Sequence, residues 1–439
     1  MKEPVIASAT RTPIGTFGGS LKDIKVVELG KVVVRDVLEK LDLRPEVPEE
    51  VKASRPSVSR DIERTDLEEE HANWEESHQG IAIDEVILGN VLQGGQGMNT
   101  TRQAAIRAGI PRETPSYTVN KVCGSGLKTI ALAAEKISTG YADVIIAGGM
   151  ESMSGAPYII PDARWGYRMN PSGTGEIKDE MVHDALYEIF YGYHMGNTAE
   201  NIAEAYDISR RSQDELGAES HHRALAATED GLFKEEIVPV QVPGEEEVVK
   251  VDEGPRETDV ELMQDLPPAF KKDGTVTAGN SSGINDGAAA VMVTSRETAE
   301  RYDLNIMGSI NSWSYGAVDP KMMGLGPIAA VNRLNQKSGF SLDQVDLVEL
   351  NEAFAAQAIA VLQELGLPRY GESSEFREPG SEKVNPLGSG ISLGHPVGAT
   401  GARMVVTMLH EMKRQNNELG LASLCIGGGQ GFAMLLERS

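Results

Sequence analysis

The chain's only two cysteines each abut glycines at the end of an apolar, extended segment. Cys123 stands in Asn120-Lys121-Val122-Cys123-Gly124-Ser125-Gly126, where the extended pattern gives way to a helical one. A helix N-terminus offers free N–H groups and positive potential, which lower a thiol's pKa and expose the thiolate. Glycines beside it let a substrate carbonyl approach the backbone closely. Cys425 ends a predicted strand, Leu421 to Ile426, and runs into Gly427-Gly428-Gly429. A lone cysteine is more often an inert apolar filler. Two in the same unusual setting argue for chemistry, above all at Cys123.

Of eight histidines, His395 stands apart, in Gly388-Ser389-Gly390-Ile391-Ser392-Leu393-Gly394-His395-Pro396, just before a helical pattern. Imidazole titrates near neutrality, so a histidine here can take a proton from a thiol. His71 and His78 fall in an acidic segment, and His221 and His222 in a polar helical one, so all four are expected at the surface. Asn351-Glu352-Ala353-Phe354 follows the apolar run Leu347 to Leu350. The carboxyl end of a buried strand is a natural ligand position, although a helix-capping asparagine explains Asn351 equally well. No HExxH or CxxC spacing appears, and two cysteines make neither a disulfide framework nor a four-cysteine zinc site. No metal is expected.

The elements that must hold these residues alternate in type. Val5 to Ala7, Glu85 to Leu88, Val144 to Ala147 and Leu347 to Leu350 read as buried strands. Leu127, Ile130, Ala131 and Ala134, like Val405, Met408, Leu409 and Met412, recur at helical spacing. That alternation predicts α/β layering with mostly parallel pairing. The middle, from about Met153 to Gly283, is an excursion. It has prolines and glycines near Asn170, helical patterns at Asn197 to Tyr206 and Arg211 to Ala227, and an acidic extended part from Val238 to Asp265. The order of reactive residue, glycine turn, helix, strand and glycine pair occurs twice, from Cys123 to Gly149 and from His395 to Gly429, suggesting a duplicated βαβ unit.

Composition narrows the class. The 439 residues carry 41 basic and 66 acidic side chains, a net charge of −25, which argues against duplex nucleic acid as the main partner. No apolar run is long enough to span a membrane, and the first residues lack the pattern of a signal peptide, so a cytoplasmic enzyme is expected. The acidity is concentrated from Glu46 to Gly80, opposed only by Lys52, Arg55, Arg60 and Arg64. With so little to bury, this stretch reads as an exposed graft, partly helical or disordered. Tyr370 to Lys383 reads similarly.

Cys123 in VCGSG, Asn351 in NEAF, His395 in GHPVGATG and Cys425 in CIGGG, in that order, resemble the thiolases, and more closely their acetyl-CoA acetyltransferase branch. AGGMESMS from Ala147, HMGNTAEN from His194 and TVTAGNSSGINDGAAA from Thr275 add to the match. It covers nearly the whole chain apart from the acidic segment and the stretch from Tyr370 to Lys383. The resemblance implies a five-layer αβαβα fold of two duplicated halves with an inserted loop domain. Residues 1–153 would form the N-terminal half, with the insertion at about 46–80 and completion by about 284–305. Residues 154–283 would be the loop domain that binds coenzyme A, and 306–439 the C-terminal half.

By the same resemblance Cys123 would be acylated, with His395 accepting its proton and helping one oxyanion site. Cys425 would remove or return the proton on the acetyl α-carbon. Asn351 would hold a water for the enolate, while the N–H groups of Cys123 and Gly427 would bind the tetrahedral oxyanion. Ser282 would bond the pantetheine arm; Met195, Phe270, Met323 and Phe354 would line the channel. His194 before Met195, together with Met323, resembles the short-chain branch, so acetyl-CoA, acetoacetyl-CoA and CoA are the implied substrates. No permanently bound cofactor and a homo-oligomer (dimer or tetramer) are implied too. Other readings are a longer-chain 3-ketoacyl-CoA thiolase of fatty-acid breakdown, a related condensing enzyme, and a catalytically silent scaffold subunit. Cys425 argues against other condensing enzymes, and retention of all three reactive residues argues against a silent copy.

Overall fold

The computed structural model describes residues 1–59, 62–169, 175–244 and 248–438; Arg60 and Asn170 lie outside the described residues. In chain order the framework opens with β1 (Pro4–Arg11), α1 (Val26–Glu39), β2 (Glu85–Gly89), α2 (Thr100–Arg107), β3 (Ser116–Val119), α3 (Ser125–Ser138) and β4 (Val144–Ser152). An excursion carrying α4 (Met195–Ala205) and α5 (Arg210–Glu229) follows, and the chain returns in β5 (Asn285–Ser295). Then come β6 (Gly308–Ala317), α6 (Gly326–Ser338), β7 (Leu347–Leu350), α7 (Ala355–Leu365), α8 (Thr400–Gln415), β8 (Leu419–Ile426) and β9 (Gln430–Glu437).

The strands join one sheet in the order β7-β8-β9-β6-β1-β5-β4-β2-β3. Only β7–β8, β4–β2 and β2–β3 pair in parallel; the other junctions are antiparallel, which corrects the expectation of mostly parallel pairing. The reason is local. The glycine turn after Ile426 folds β9 back beside β8, while the excursion returns β5 antiparallel to β4. Strands buried on both faces carry no polar alternation in either arrangement, so periodicity alone does not report direction.

Five layers result. Helices α3 and α8 lie in the middle, and their apolar side chains (Leu127, Ile130, Met404, Met408) share one cluster with residues of both sheet halves, such as Ile87, Ile145, Leu424 and Phe432. An outer layer of α1 and α2 covers β2, β4 and β5 through Val33, Val37, Ala104 and Ala105. On the opposite outside, α6 and α7 cover β7 to β9 through Val331, Leu334, Ile359 and Leu362. At about 1.5–3 kcal/mol for each fully buried aliphatic side chain, the middle layer binds the two sheet halves to one another. The two halves repeat one another: β2-β4-β5-β1 matches β7-β8-β9-β6 in pairing direction.

Glycines bring the turns before α3 and α8 together. A Cβ on Gly126 would lie 2.8 Å from the Ala402 nitrogen, and one on Gly401 would lie 2.5 Å from that of Leu127, so the N-termini of α3 and α8 meet backbone to backbone. Gly89, Gly126 and Gly149 all face the carbonyl of Gly398, which leaves room for the loop that carries His395. Side chains at these positions would push that loop away from Cys123.

Both polar stretches are more ordered than their composition suggests. Leu43–Glu46 pairs in parallel with Gln79–Ala82, enclosing short helices at Glu49–Ala53 and Asp66–His71. Trp74 anchors the segment, donating its indole N–H to the Gly109 carbonyl at 3.0 Å beneath the Arg35 guanidinium. Glu68 takes a two-pronged bond from Arg112 at 2.7 and 2.9 Å. His71 and His78 are half-buried, and His221 is fully buried on α5, contrary to expectation. In the second stretch Tyr370 and Phe376 are core residues. Among the described residues no helix is long and apolar enough to cross a membrane.

Candidate active site

At the carboxyl ends of β4, β7 and β8 a cleft of about 390 Å³ collects ten of the eleven candidate residues. Cys123, His395, Cys425 and Gly427 line one end, while His194, Met195, Phe270, Ser282, Met323 and Phe354 line the rest. Asn351 is the exception; it lies fully buried behind the cleft wall, at the end of β7.

Cys123 occupies a strained turn. The preceding Val122 has φ of +47°, a left-handed conformation that a β-branched residue rarely adopts. Its N–H is taken by the Asn120 side chain at 3.0 Å, and the Ser125 hydroxyl both donates to the Val122 carbonyl and accepts from the Lys121 N–H. These bonds over-determine the turn and hold the sulfur forward of α3, which begins only at Ser125. The expected depression of the thiol's pKa does not follow. Burial pushes the thiol up to about 11, outweighing the N–H groups of Gly427 and Cys123 that face the sulfur, and the nearby Glu151 raises it further. Cys123 therefore rests as a thiol.

Cys425 sits at the end of β8 with 1% exposure. Burial, and then the Cys123 sulfur, hold its thiol well above the usual range. The turn that follows has Gly428 and Gly429 at φ of +77° and +76°, and it presents the Gly427 N–H to Cys123. A Cβ at Gly427 would press within 2.9 Å of the Met195 methyl.

His395 is neutral: burial, then the Arg403 charge, lower its pKa to about 3. Its Nδ1 is 2.7 Å from the Thr400 hydroxyl, which also lies 2.9 Å from the Pro396 carbonyl. We assign the single hydroxyl proton to that carbonyl, so Nδ1 carries the imidazole hydrogen and Nε2 is the free base. Nε2 is buried without a hydrogen-bond partner among the described residues. The loop is pinned by the Asn285 side chain, which accepts from the His395 N–H at 2.9 Å and from which a Cβ at Gly394 would be only 2.5 Å away. Glu151 ties the loop to the N-terminal half, accepting from the N–H groups of Gly398, Val91 and Leu92 and from the Asn90 amide at 2.7–3.1 Å. Burial pushes this carboxyl up to about 7.

The cleft's long wall is built from the excursion. His194 caps α4, its Nδ1 accepting from the Gly196 N–H at 3.1 Å, and stacks on Phe270 with centroids 4.7 Å apart. Phe354 meets Phe270 edge-on at 6.2 Å. The Ser282 N–H donates to the Ala353 carbonyl at 3.0 Å, joining the glycine-rich stretch before β5 to the Asn351 loop. Thr400, Asn285 and Glu151 escaped the sequence reading, as did Phe17, Met153, Leu186 and Val397 in the cleft wall. Only Thr400 carried a signal, as the one hydroxyl in the turn five residues after His395.

This arrangement can hold a thioester carbonyl between two sulfurs and one neutral imidazole, with two N–H groups aimed at the reacting sulfur. Residues 4–57 and 60–297 match the family model described as thiolase, N-terminal domain, and residues 304–438 match thiolase, C-terminal domain. A protein of Syntrophomonas wolfei named acetyl-CoA acetyltransferase is 46% identical over 438 residues, covering 99% of each chain. One of Pseudomonas aeruginosa with the same name is also 46% identical, over 442 residues and 100% of each. The crystal structure of the Bacillus anthracis acetyl-CoA acetyltransferase superposes with a TM-score of 0.85 at 40% identity, covering 100% of this chain and 99% of that one.

Proposed function

The chain belongs to the thiolase family, and on that premise we propose that it is an acetyl-CoA acetyltransferase, interconverting two acetyl-CoA with acetoacetyl-CoA and CoA through an acyl-Cys123 intermediate. The observation that carries this reading is the pairing of a half-buried thiol at Cys123 and a buried one at Cys425 with a neutral imidazole in one cleft, the Gly427 N–H facing the Cys123 sulfur.

In the condensing direction the Cys123 sulfur attacks the acetyl carbonyl while its proton passes to His395 Nε2. The oxyanion is held by the N–H groups of Cys123 and Gly427. CoA leaves as a thiolate and takes the proton of Cys425. The Cys425 thiolate then removes a proton from the methyl carbon of a second acetyl-CoA. Its enolate oxygen is stabilised by the imidazolium of His395 and by a water held by Asn351. The enolate carbon attacks the acyl-Cys123 carbonyl, Cys123 is expelled, and His395 returns the proton. The raised pKa of Cys425 suits this cycle, because a thiol that holds its proton at rest can supply the leaving group and then act as a strong base.

Residues of the excursion bind coenzyme A, with Ser282 bonding the pantetheine arm and His194 and Phe270 forming its stacked wall, while Met195 of the excursion and Met323 and Phe354 of the C-terminal half limit the acyl chain. The bulk of the two methionines beside Cys425 favours a short acyl group. Thiolysis of acetoacetyl-CoA compared with a 3-ketoacyl-CoA of eight or more carbons tests it; equal rates would replace this reading with that of a longer-chain thiolase.

A further inference from the structure

We propose that Tyr370 is a positioning residue for Asn351, acting through the carboxylate of Glu352; this rests on the role given to Asn351 above. Glu352 directly follows Asn351 and is fully buried. Its Oε1 accepts from the Tyr370 hydroxyl at 2.5 Å and from the Asn385 amide at 3.1 Å. Its Oε2 accepts from the Ser220 hydroxyl at 2.6 Å and the Ile391 N–H at 3.2 Å. The donors come from α5, from the polar stretch that begins at Tyr370, and from the loop leading to His395. One carboxylate therefore joins the excursion, the C-terminal half and the catalytic loop.

Asn351 needs such support, because both of its amide atoms are buried and neither has a partner among the described residues. What orients it is the backbone on either side. On one side Asn385 brackets Leu350, accepting from its N–H and donating to its carbonyl, both at 2.8 Å. On the other side stands Glu352. The Asn385 amide also donates to the Tyr370 oxygen at 2.8 Å, so the phenol's single proton is committed to Glu352. The Arg223 guanidinium lies over the Tyr370 ring at 4.5 Å and fixes it from behind. Opposite, Gly390 leaves no slack: a Cβ there would lie 2.6 Å from Asn351 Oδ1 and 2.8 Å from the Glu352 carbonyl oxygen. Without the phenol, the carboxylate shifts toward its remaining donors and carries the Asn351 peptide with it.

The test separates the two half-reactions. Exchange of labelled CoA into acetyl-CoA needs only formation and breakdown of acyl-Cys123, whereas thiolysis of acetoacetyl-CoA also needs the enolate site at Asn351. Tyr370→Phe should lower kcat for thiolysis about tenfold, short of the hundredfold that an ångström-scale misplacement costs, with KM and exchange within about twofold of the parent. Glu352→Gln reaches the same carboxylate without touching the phenol and should show the same selective loss, even should Tyr370→Phe prove too unstable to purify. Phe376→Leu loosens the same stretch without touching a polar group; it should lower Tm and leave the ratio of the two rates alone. Parallel loss of exchange and thiolysis, unchanged thiolysis in both polar variants, or the same ratio change in Phe376→Leu would each overturn the proposal. Parent protein that exchanges CoA but cannot cleave acetoacetyl-CoA would overturn the functional reading as well, and Asn351→Ala with normal thiolysis would overturn this proposal together with the role of Asn351 while leaving the rest of that reading in place.

Discussion

The turns before α3 and α8 occupy equivalent places in the two halves of the fold, yet they carry opposite kinds of group. The first presents a thiol through a strained Val122 and surrounds it with N–H groups. The second presents an imidazole through an unstrained turn, with its Nδ1 occupied by Thr400 and its Nε2 left free. Burial acts on both and in opposite electrostatic senses, since it holds the thiol protonated and the imidazole unprotonated. The repeated scaffold thus supplies position, and burial sets both resting protonation states so that neither side is charged before substrate arrives. An acid and a base matched in this way exchange a proton only when a developing oxyanion stabilises the product of transfer.

The sharpest way to break the comparison is to remove one sulfur at a time. Cys123→Ala should lower turnover by roughly 10⁴-fold or more and abolish acyl-enzyme formation, seen as loss of the acetyl adduct by intact-protein mass spectrometry. Cys425→Ala should lose carbon–carbon bond chemistry to a similar degree while still being acylated at Cys123. Equal loss of acylation in both variants would show that the two thiols do not divide the work.

A smaller effect is expected at the second turn. Thr400→Val removes the acceptor for His395 Nδ1–H and frees the wrong tautomer, so kcat should fall about 10- to 100-fold, less than the roughly 10²- to 10⁴-fold worth of the general base itself. Thr400→Ser, which keeps the hydroxyl, should recover most of it. A valine variant as active as the parent would mean that the tautomer is fixed by other means. The resting charge state has its own measure. With a folded pKa of about 11, the thiolate fraction of Cys123 grows tenfold per pH unit across the working range. Iodoacetamide labelling of Cys123 should therefore rise with unit slope from pH 7 to 9 and outpace that of the more deeply buried Cys425. A plateau below pH 8 would reveal a preformed thiolate–imidazolium pair instead.

How far these features were legible follows from their range along the chain. The reactive residues lie in short glycine-rich runs whose spacing survives as sequence, so Cys123, His395 and Cys425 stood out before any fold was known. Helical and strand periodicity around Leu127 and Val405 pointed to α/β layering, whereas the five-layer order came only with the resemblance to the thiolases. Burial was not legible in this way, because it is set by segments far apart in sequence. Tyr370 reads as the start of a polar loop until Glu352 and Asn385 are folded against it. His221 reads as one face of a polar helix until the excursion closes over α5. The pKa of Cys123 was misjudged for the same reason: a helix terminus is local, whereas desolvation comes from the whole cleft.

The smallest effects belong to the acidic segment, whose contrast with the cleft is one of anchoring. None of its described residues between 46 and 80 lines the cleft, and its hold on the body runs through Trp74, the Glu68–Arg112 and Arg55–Glu113 pairs, and the bonds of Arg35 to His71 and Asn73. Among the described residues the Asp66, Glu69 and Glu70 carboxylates have no hydrogen-bond or ion-pair partner, and like charges on one short helix repel. Replacing them with Asn, Gln and Gln should leave kcat/KM unchanged within about twofold and shift stability by no more than about 0.5 kcal/mol each. Trp74→Ala should instead cost about 2–3 kcal/mol in urea unfolding, since it empties a half-buried ring site and strands the Gly109 carbonyl. If the charge variants slowed turnover while Trp74→Ala left stability intact, the segment would be acting through its electrostatic field, and its separation from the chemistry would fail.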